Sequence, residues 1–78
     1  MKKKLALKRD VYLKQVGKRI RQARKARDMS QESLALAADL DRSYIGGVER
    51  GERNIAVVNL GKIASALDMP MNELLRGM

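Results

Sequence analysis

The chain has 78 residues, enough for one small hydrophobic core, and carries 17 lysines and arginines against nine acidic residues. It contains neither cysteine nor histidine. Disulfides, the usual zinc and iron ligand sets, and the Ser-His and Cys-His nucleophile pairs are therefore excluded, so we expect no metal site, no cofactor and no enzyme. No apolar run approaches the roughly 20 residues of a membrane span, which predicts a soluble, cytoplasmic protein.

The positive charge is concentrated at one end of the chain. Residues 1–27 hold 12 lysines and arginines against one aspartate, a net charge of +11, whereas residues 28–78 hold five against eight acidic residues, a net charge of −3. Such asymmetry favours a polyanionic partner, either nucleic acid or an anionic membrane surface. The plainer alternative is a solvated helix face. The absence of Trp and Phe anchors disfavours the membrane.

Helical periodicity runs through most of the sequence, and no strand pattern appears. A basic arm at residues 1–10 precedes the first predicted helix, which covers residues 11–27 with Asp10 as a possible N-cap. Ser30 is a typical N-cap for a second helix at 31–38.

Three more helices are predicted in the second half of the chain. Asp41 is a typical N-cap and Gly51 a typical C-terminal stop for the third helix, and Pro70 suits the first turn of the fifth. The predicted helices cover residues 42–50, 57–67 and 70–76. Helical spacing turns these apolar residues of the second, fourth and fifth helices inward: Leu34, Ala35, Ala38, Leu60, Ile63, Ala64, Leu67, Leu74 and Leu75. The sequence therefore predicts an all-α, compact five-helix domain.

Residues 31–50, QESLALAADLDRSYIGGVER, have the build of a helix-turn-helix motif. Ala35 is small enough for the point where two short helices cross. Apolar anchors stand on both sides of the turn: Leu34, Leu40, Ile45 and Val48.

Two adjacent glycines interrupt the third helix, where each costs about 1 kcal/mol relative to alanine. With Ile45 and Val48 turned inward, helical geometry turns Gly46 and Gly47 outward. The outward face would then be nearly bare, which suits a helix that enters a DNA major groove only about 12 Å wide. The alternative is close packing of this face against another protein helix.

Three segments carry a family resemblance: GKRIRQARKARDMSQESLALAADL, DRSYIGGVERGERN and LGKIASAL. From about Gly17 to Leu75 the chain resembles the Cro and lambda-repressor type of helix-turn-helix domain. In motif it is most similar to the small controller proteins of restriction–modification systems. The resemblance implies a five-helix, lambda-repressor-like fold and a homodimer that binds pseudo-palindromic double-stranded DNA to repress or activate transcription. It also implies a bacterial or phage-encoded protein associated with the nucleoid.

The resemblance assigns roles to individual positions of the motif. Arg42 and Ser43 would contact base edges, and Gly46 and Gly47 would lie beside them in the groove. The DNA backbone would be contacted by Gln31, Tyr44, Arg50, Arg53 and Asn54, of which Asn54 would also help to fix the following loop.

The resemblance further implies a structural pair and shows two departures from the family pattern. Arg24 would bond Glu49 and so hold the third helix at its angle. Asp39 occupies a turn position usually held by glycine, which requires the left-handed conformation. Ala56 stands where a serine or threonine normally caps the fourth helix, so one cap bond is lost.

Dimerisation is less well defined by the sequence. The apolar residues left over after the core is assigned form either a homodimer interface or the outer layer of the core: Val57, Val58, Met69, Met71 and Met78.

The basic arm would add affinity for any duplex without reading its sequence. We expect no small-molecule effector. The alternative function is an antitoxin-like protein-interaction module that uses the same domain.

Overall fold

The computed structural model describes residues 8–78, which form five helices and no strand. The helices are α1 (Arg9–Ala26), α2 (Gln31–Ala38), α3 (Arg42–Glu49), α4 (Val57–Ala66) and α5 (Met71–Leu74). The predicted all-α, five-helix fold is confirmed. Most of the predicted basic arm, residues 1–7, lies outside the described residues.

The start of α1 differs from the prediction. The helix begins at Arg9, and Lys8 occupies the N-cap position without a side-chain bond. Asp10 instead lies in the first turn, where its negative charge interacts favourably with the positive end of the helix dipole. An aspartate stabilises a helix both at the N-cap and in the first turn, so the sequence alone does not determine which residue begins α1.

Ser30 caps α2 as predicted, through a reciprocal pair of bonds with Ser33. The Ser30 hydroxyl accepts from the Ser33 backbone N–H, and the Ser33 hydroxyl accepts from the Ser30 backbone N–H, both at 2.9 Å. Asp41 stands at the N-cap of α3 as expected, but its side chain makes no cap bond. Ala56, at the N-cap of α4, lacks one as well.

Helices α1, α2, α3 and α4 all end in the same way, with a residue in the left-handed backbone conformation directly after the last turn. Aspartates fill it after α1, α2 and α4, with φ of 53° at Asp28, 58° at Asp39 and 57° at Asp68. Gly51, with φ of 76°, fills it after α3. Asp39 therefore takes the conformation predicted for the turn, and the substitution of aspartate for glycine recurs elsewhere in this chain.

Helix α5 is shorter than predicted. Pro70 has extended backbone and is the N-cap rather than part of the first turn. Gly77, with φ of 80°, follows the helix, and the Met78 N–H donates to the Leu75 carbonyl. The Leu74 carbonyl accepts from Arg19 Nη1 on α1 at 3.1 Å. This bond ties the C-terminus of the domain to the middle of α1.

One hydrophobic core joins all five helices of the described chain. The predicted inward residues of α2, α3 and α4 are buried, and the largest fully buried side chains are Ile20, Leu34, Ile45, Val48, Ile63 and Leu67. Leu74 is buried as predicted, whereas Leu75 is only partly covered. Helix α3 is thus anchored by its inner face, which leaves its N-terminal end free to present side chains.

Candidate nucleic-acid interface

The turn between α2 and α3 is closed by backbone hydrogen bonds. The Leu40 N–H donates to the Ala35 carbonyl at 2.9 Å, and the Asp39 N–H donates to Leu36 at 3.2 Å. Ala35 is buried at the crossing of the two helices, as the sequence predicted. The two helices therefore meet through a tight, fully bonded turn, which fixes the direction in which α3 projects.

The N-terminal end of α3 presents polar side chains to solvent. Arg42 and Ser43 are exposed there, and Tyr44 is half-buried beside them. On the opposite side Ile45 and Val48 are buried in the core, as predicted. The two residues assigned to base edges thus stand at an accessible helix end whose dipole favours an anionic partner.

The prediction that the face of Gly46 and Gly47 is bare was wrong. Both glycines are buried, because long side chains from other parts of the chain lie over them. A Cβ atom added to Gly46 would lie 3.1 Å from Arg50 Nη1 and 3.5 Å from Gln31 Oε1. One added to Gly47 would lie 2.7 Å from Arg53 Cγ. The space that the glycines leave is filled by the protein itself.

A buried polar network holds the C-terminal end of α3 against α1 and α2. Arg24 donates to both carboxylate oxygens of Glu49, from Nε at 2.6 Å and from Nη2 at 2.9 Å. Its Nη1 donates to the Met29 carbonyl at 2.8 Å. The structure therefore brings together the pair that the resemblance implied, with the bidentate geometry that arginine favours.

The Glu49 carboxylate accepts a third bond, from Gln31 Nε2 at 3.1 Å. The side chains of Arg24 and Glu49 are only 9% and 2% exposed, so the pair is shielded from water. The hydrogen bond to Glu49 raises the pKa of Arg24, although its burial acts in the opposite direction. Gln31 is thus a member of this network, and its amide nitrogen carries a second hydrogen beside the one donated to Glu49.

The remaining backbone candidates lie at and after the end of α3. The Arg53 guanidinium carbon stands 5.5 Å from the centroid of the Tyr44 ring. Arg50 pairs with Glu52 at 3.1 Å, and both side chains are about 60% exposed, so this pair contributes about 0–1 kcal/mol. Asn54 is exposed, and within residues 8–78 its side chain makes none of the loop-fixing bonds expected of it.

Sequence reasoning missed two residues that support this surface. Asn59 on α4 donates from Nδ2 to the Tyr44 hydroxyl at 3.2 Å, and nothing in its local pattern distinguished it from an ordinary polar helix residue. Gly17 on α1 packs directly against the carbonyls of Val48 and Glu49. A glycine in the middle of a predicted helix was the available signal for such a close approach.

The dimer candidates fall into two groups. Val57 and Val58, at the start of α4, are 71% and 70% exposed. Met69 and Met71 are half-buried against the core, which agrees with the alternative that they form its outer layer. Within the described residues, only the two valines remain as a freely exposed apolar pair on α4.

No group of three or more acidic side chains among residues 8–78 is arranged to hold a metal ion. None of the helices described is both long and apolar enough to cross a membrane.

The sequence pattern of the helix-turn-helix family matches residues 20–74, which include α2, the turn and α3. The chain belongs to this family, and the resemblance to its Cro and lambda-repressor type is confirmed.

Several relatives are control proteins. Control protein C.MunI of Mycoplasma sp is 44% identical over 59 residues, which cover 74% of this chain and 80% of that protein. Control protein C.BamHI of Bacillus amyloliquefaciens is 45% identical over 60 residues, 76% of this chain and 74% of that protein. Among solved structures, the restriction–modification controller protein C.AhdI of Aeromonas hydrophila superposes with a TM-score of 0.81 at 52% identity, covering 82% of this chain and 97% of that one.

Proposed function

We propose that the protein is a sequence-specific regulator of transcription that binds double-stranded DNA as a homodimer on a pseudo-palindromic operator. The observation that carries the proposal is the accessible N-terminal end of α3, held on a rigid helix-turn-helix frame in a chain of net charge +8. A basic surface supplies affinity for phosphates, and a rigid helix end supplies selectivity between base pairs. The protein would act in the cytoplasm, at the nucleoid.

The comparisons support a controller role. The structure of the controller protein C.Esp1396I has been solved as a tetramer in complex with its natural 35-base-pair operator, and it superposes on this chain with a TM-score of 0.77 at 35% identity, covering 81% of this chain and 83% of that one. We therefore place the protein among the controllers of restriction–modification systems.

The polar side chains assigned to the DNA each have a defined task in this proposal. Arg42 reads guanine, because its planar fork can donate to O6 and N7 together, and Ser43 contacts the neighbouring base. Gln31 donates its free amide hydrogen to a phosphate, and Tyr44 and Arg53 contact the backbone toward the centre of the operator. Arg24 and Glu49 act indirectly, by holding α3 at its angle.

The second chain would dock on α4. Val57 and Val58 offer adjacent exposed apolar side chains at the helix start, and a two-fold axis there would pair each valine with its counterpart. Two recognition helices placed about 34 Å apart would then contact half-sites about 10 base pairs apart, centre to centre.

The test is selection of bound sequences from random duplexes, followed by titration of the best site. Arg42→Ala is expected to lose about 1–3 kcal/mol on that site and to relax selectivity at one base pair in each half-site. Arg76→Ala, which removes the same charge outside the helix-turn-helix, is the matched control and should leave selectivity unchanged.

Two results would contradict the proposal. One is the absence of any enriched duplex in the selection, and the other is an unchanged selected sequence for Arg42→Ala. Enrichment of no duplex together with co-purification of a small protein partner would instead favour the antitoxin-like module.

A further inference from the structure

The exposed residue Arg53 lies against Gly47 and over the Tyr44 ring, and Asn59 supports Tyr44; we call these three residues the seat of Arg53. Its stem crosses α3 at Gly47, where an added Cβ would be 2.7 Å from Cγ, 3.5 Å from Nε and 3.6 Å from Cδ. Its guanidinium stands over the Tyr44 ring, 5.5 Å from the centroid. Tyr44 is in turn held by Asn59, whose Nδ2 donates to the phenolic oxygen at 3.2 Å.

We propose that Gly47 is a positioning residue for Arg53, and that Tyr44 and Asn59 complete the seat that aims this arginine at the DNA. Arg53 belongs to the loop after α3, and an arginine on a loop has many rotamers. Its contacts with Gly47 and the Tyr44 ring favour one of these rotamers, so less side-chain entropy is lost when the guanidinium meets a phosphate or a base edge. The missing side chain at Gly47 thus serves an arginine of the same chain rather than clearance in the groove.

The position of the close contact along the side chain supports this assignment. Arg53 Cγ is only two bonds from the backbone, so rotation of the guanidinium alone cannot relieve its 2.7 Å contact with a Cβ at position 47. Either χ1 of Arg53 changes or the loop moves, and in both cases the guanidinium leaves the Tyr44 ring. Any side chain at position 47 is therefore expected to unseat Arg53.

The neighbouring glycine provides a matched control in the same helix. A Cβ at Gly46 would meet Nη1, the tip of the Arg50 side chain, at 3.1 Å. Arg50 is 60% exposed in its surface pair with Glu52, so its tip can move into solvent at little cost. Gly46→Ala and Gly47→Ala thus make the same chemical change on one helix and differ in whether they displace the root of an arginine.

The proposal rests on the proposed DNA-binding function, so the experiment has one arm with DNA and one without. In the first arm, operator affinity is measured for Gly47→Ala and Gly46→Ala, each with Arg53 and with Arg53→Ala. Gly47→Ala is expected to weaken binding about 10-fold when Arg53 is present and less than about 2-fold when it is absent, a coupling typical of residues in contact. Gly46→Ala should change affinity by the same factor with and without Arg53, because its added Cβ meets Arg50 and Gln31 and no part of Arg53.

The second arm uses the free protein. The Arg53 Nε–Hε resonance is followed by NMR, because a guanidinium that leaves an aromatic face changes its chemical shift. Gly47→Ala and Tyr44→Leu are expected to move this resonance in the same direction, and Gly46→Ala to leave it in place. Circular dichroism confirms that each variant keeps its helices.

The outcomes distinguish failure of the proposal for Gly47 from failure of the proposed DNA-binding function. Equal loss of affinity from Gly47→Ala with and without Arg53 would overturn the proposal. It would favour instead the explanation that Gly47 leaves space for the DNA in the major groove. An Arg53 resonance unmoved by Gly47→Ala would overturn it in the absence of DNA. Failure of the unaltered protein to bind any duplex would refute the DNA-binding function, while the NMR arm would still decide whether Gly47 seats Arg53.

Discussion

Gly17 is the position where α1 and α3 approach most closely, and its substitution gives a sharp test of how the recognition helix is held. A Cβ at Gly17 would overlap the Val48 carbonyl oxygen and lie 2.6 Å from that of Glu49. Ordinary contact begins at about 3.5 Å, so the Glu49 carbonyl would have to move by about 1 Å. Backbone atoms cannot rotate away as a side chain does, and Glu49 is also tied to Arg24 and Gln31.

The expected size of the effect follows from two opposing contributions. Alanine is the better helix former by about 1 kcal/mol, whereas overpacking of a well-packed site costs typically about 1–3 kcal/mol and occasionally more. Because the overlap is with two backbone carbonyls, the upper end of the overpacking cost applies, and we expect Gly17→Ala to lower the free energy of unfolding by about 1–2 kcal/mol. In a domain of this size each kcal/mol corresponds to about 4–8 °C in melting temperature.

Gly61 on α4 is the matched control, because nothing lies within 4 Å of the Cβ that alanine would add there. Gly61→Ala is expected to raise the free energy of unfolding by about 0.5–1 kcal/mol. Thermal and urea unfolding, followed by circular dichroism at one fixed protein concentration, compare the two variants. A melting temperature for Gly17→Ala at or above that of the unaltered protein would refute the packing assigned to α1 and α3.

Three further predictions concern the buried pair, the dimer and the arm. Glu49→Ala leaves the Arg24 charge buried without its carboxylate and should cost about 3–5 kcal/mol in urea unfolding; a loss below about 1 kcal/mol would contradict the role of the pair. Val57→Asp should weaken self-association in analytical ultracentrifugation without loss of helix content, whereas Leu36→Asp, at an 84% exposed site on α2, should not; equal effects of the two would argue against an α4 interface. Deletion of residues 1–7, with their three lysines, should flatten the slope of the logarithm of the DNA-binding constant against log salt by up to about 3. The selected DNA sequence should stay unchanged, and a changed sequence would mean that the arm contacts base edges.

The local features of the fold were predictable because short-range physics decides them. The cap at Ser30, the stop at Gly51 and the left-handed turn at Asp39 each depend on a few neighbouring residues, and the structure forms all three. The inward faces of α2, α3 and α4 also followed from periodicity, since a helix can bury only one stripe against the core. Helix boundaries were less certain, because Pro70 and Asp10 suit more than one position near a helix start.

The fold class, the helix-turn-helix and the exposure of Arg42 and Ser43 followed from sequence, because periodicity and caps place these residues on known faces. What lies over Gly46 and Gly47 depends on long-range packing. A helical projection shows where a missing side chain points, but not that Gln31 from the preceding helix and Arg53 from the following loop reach into the space. The same holds for Asn59 on Tyr44 and for Gly17 on the end of α3, since each contact joins segments that are brought together only when the core forms.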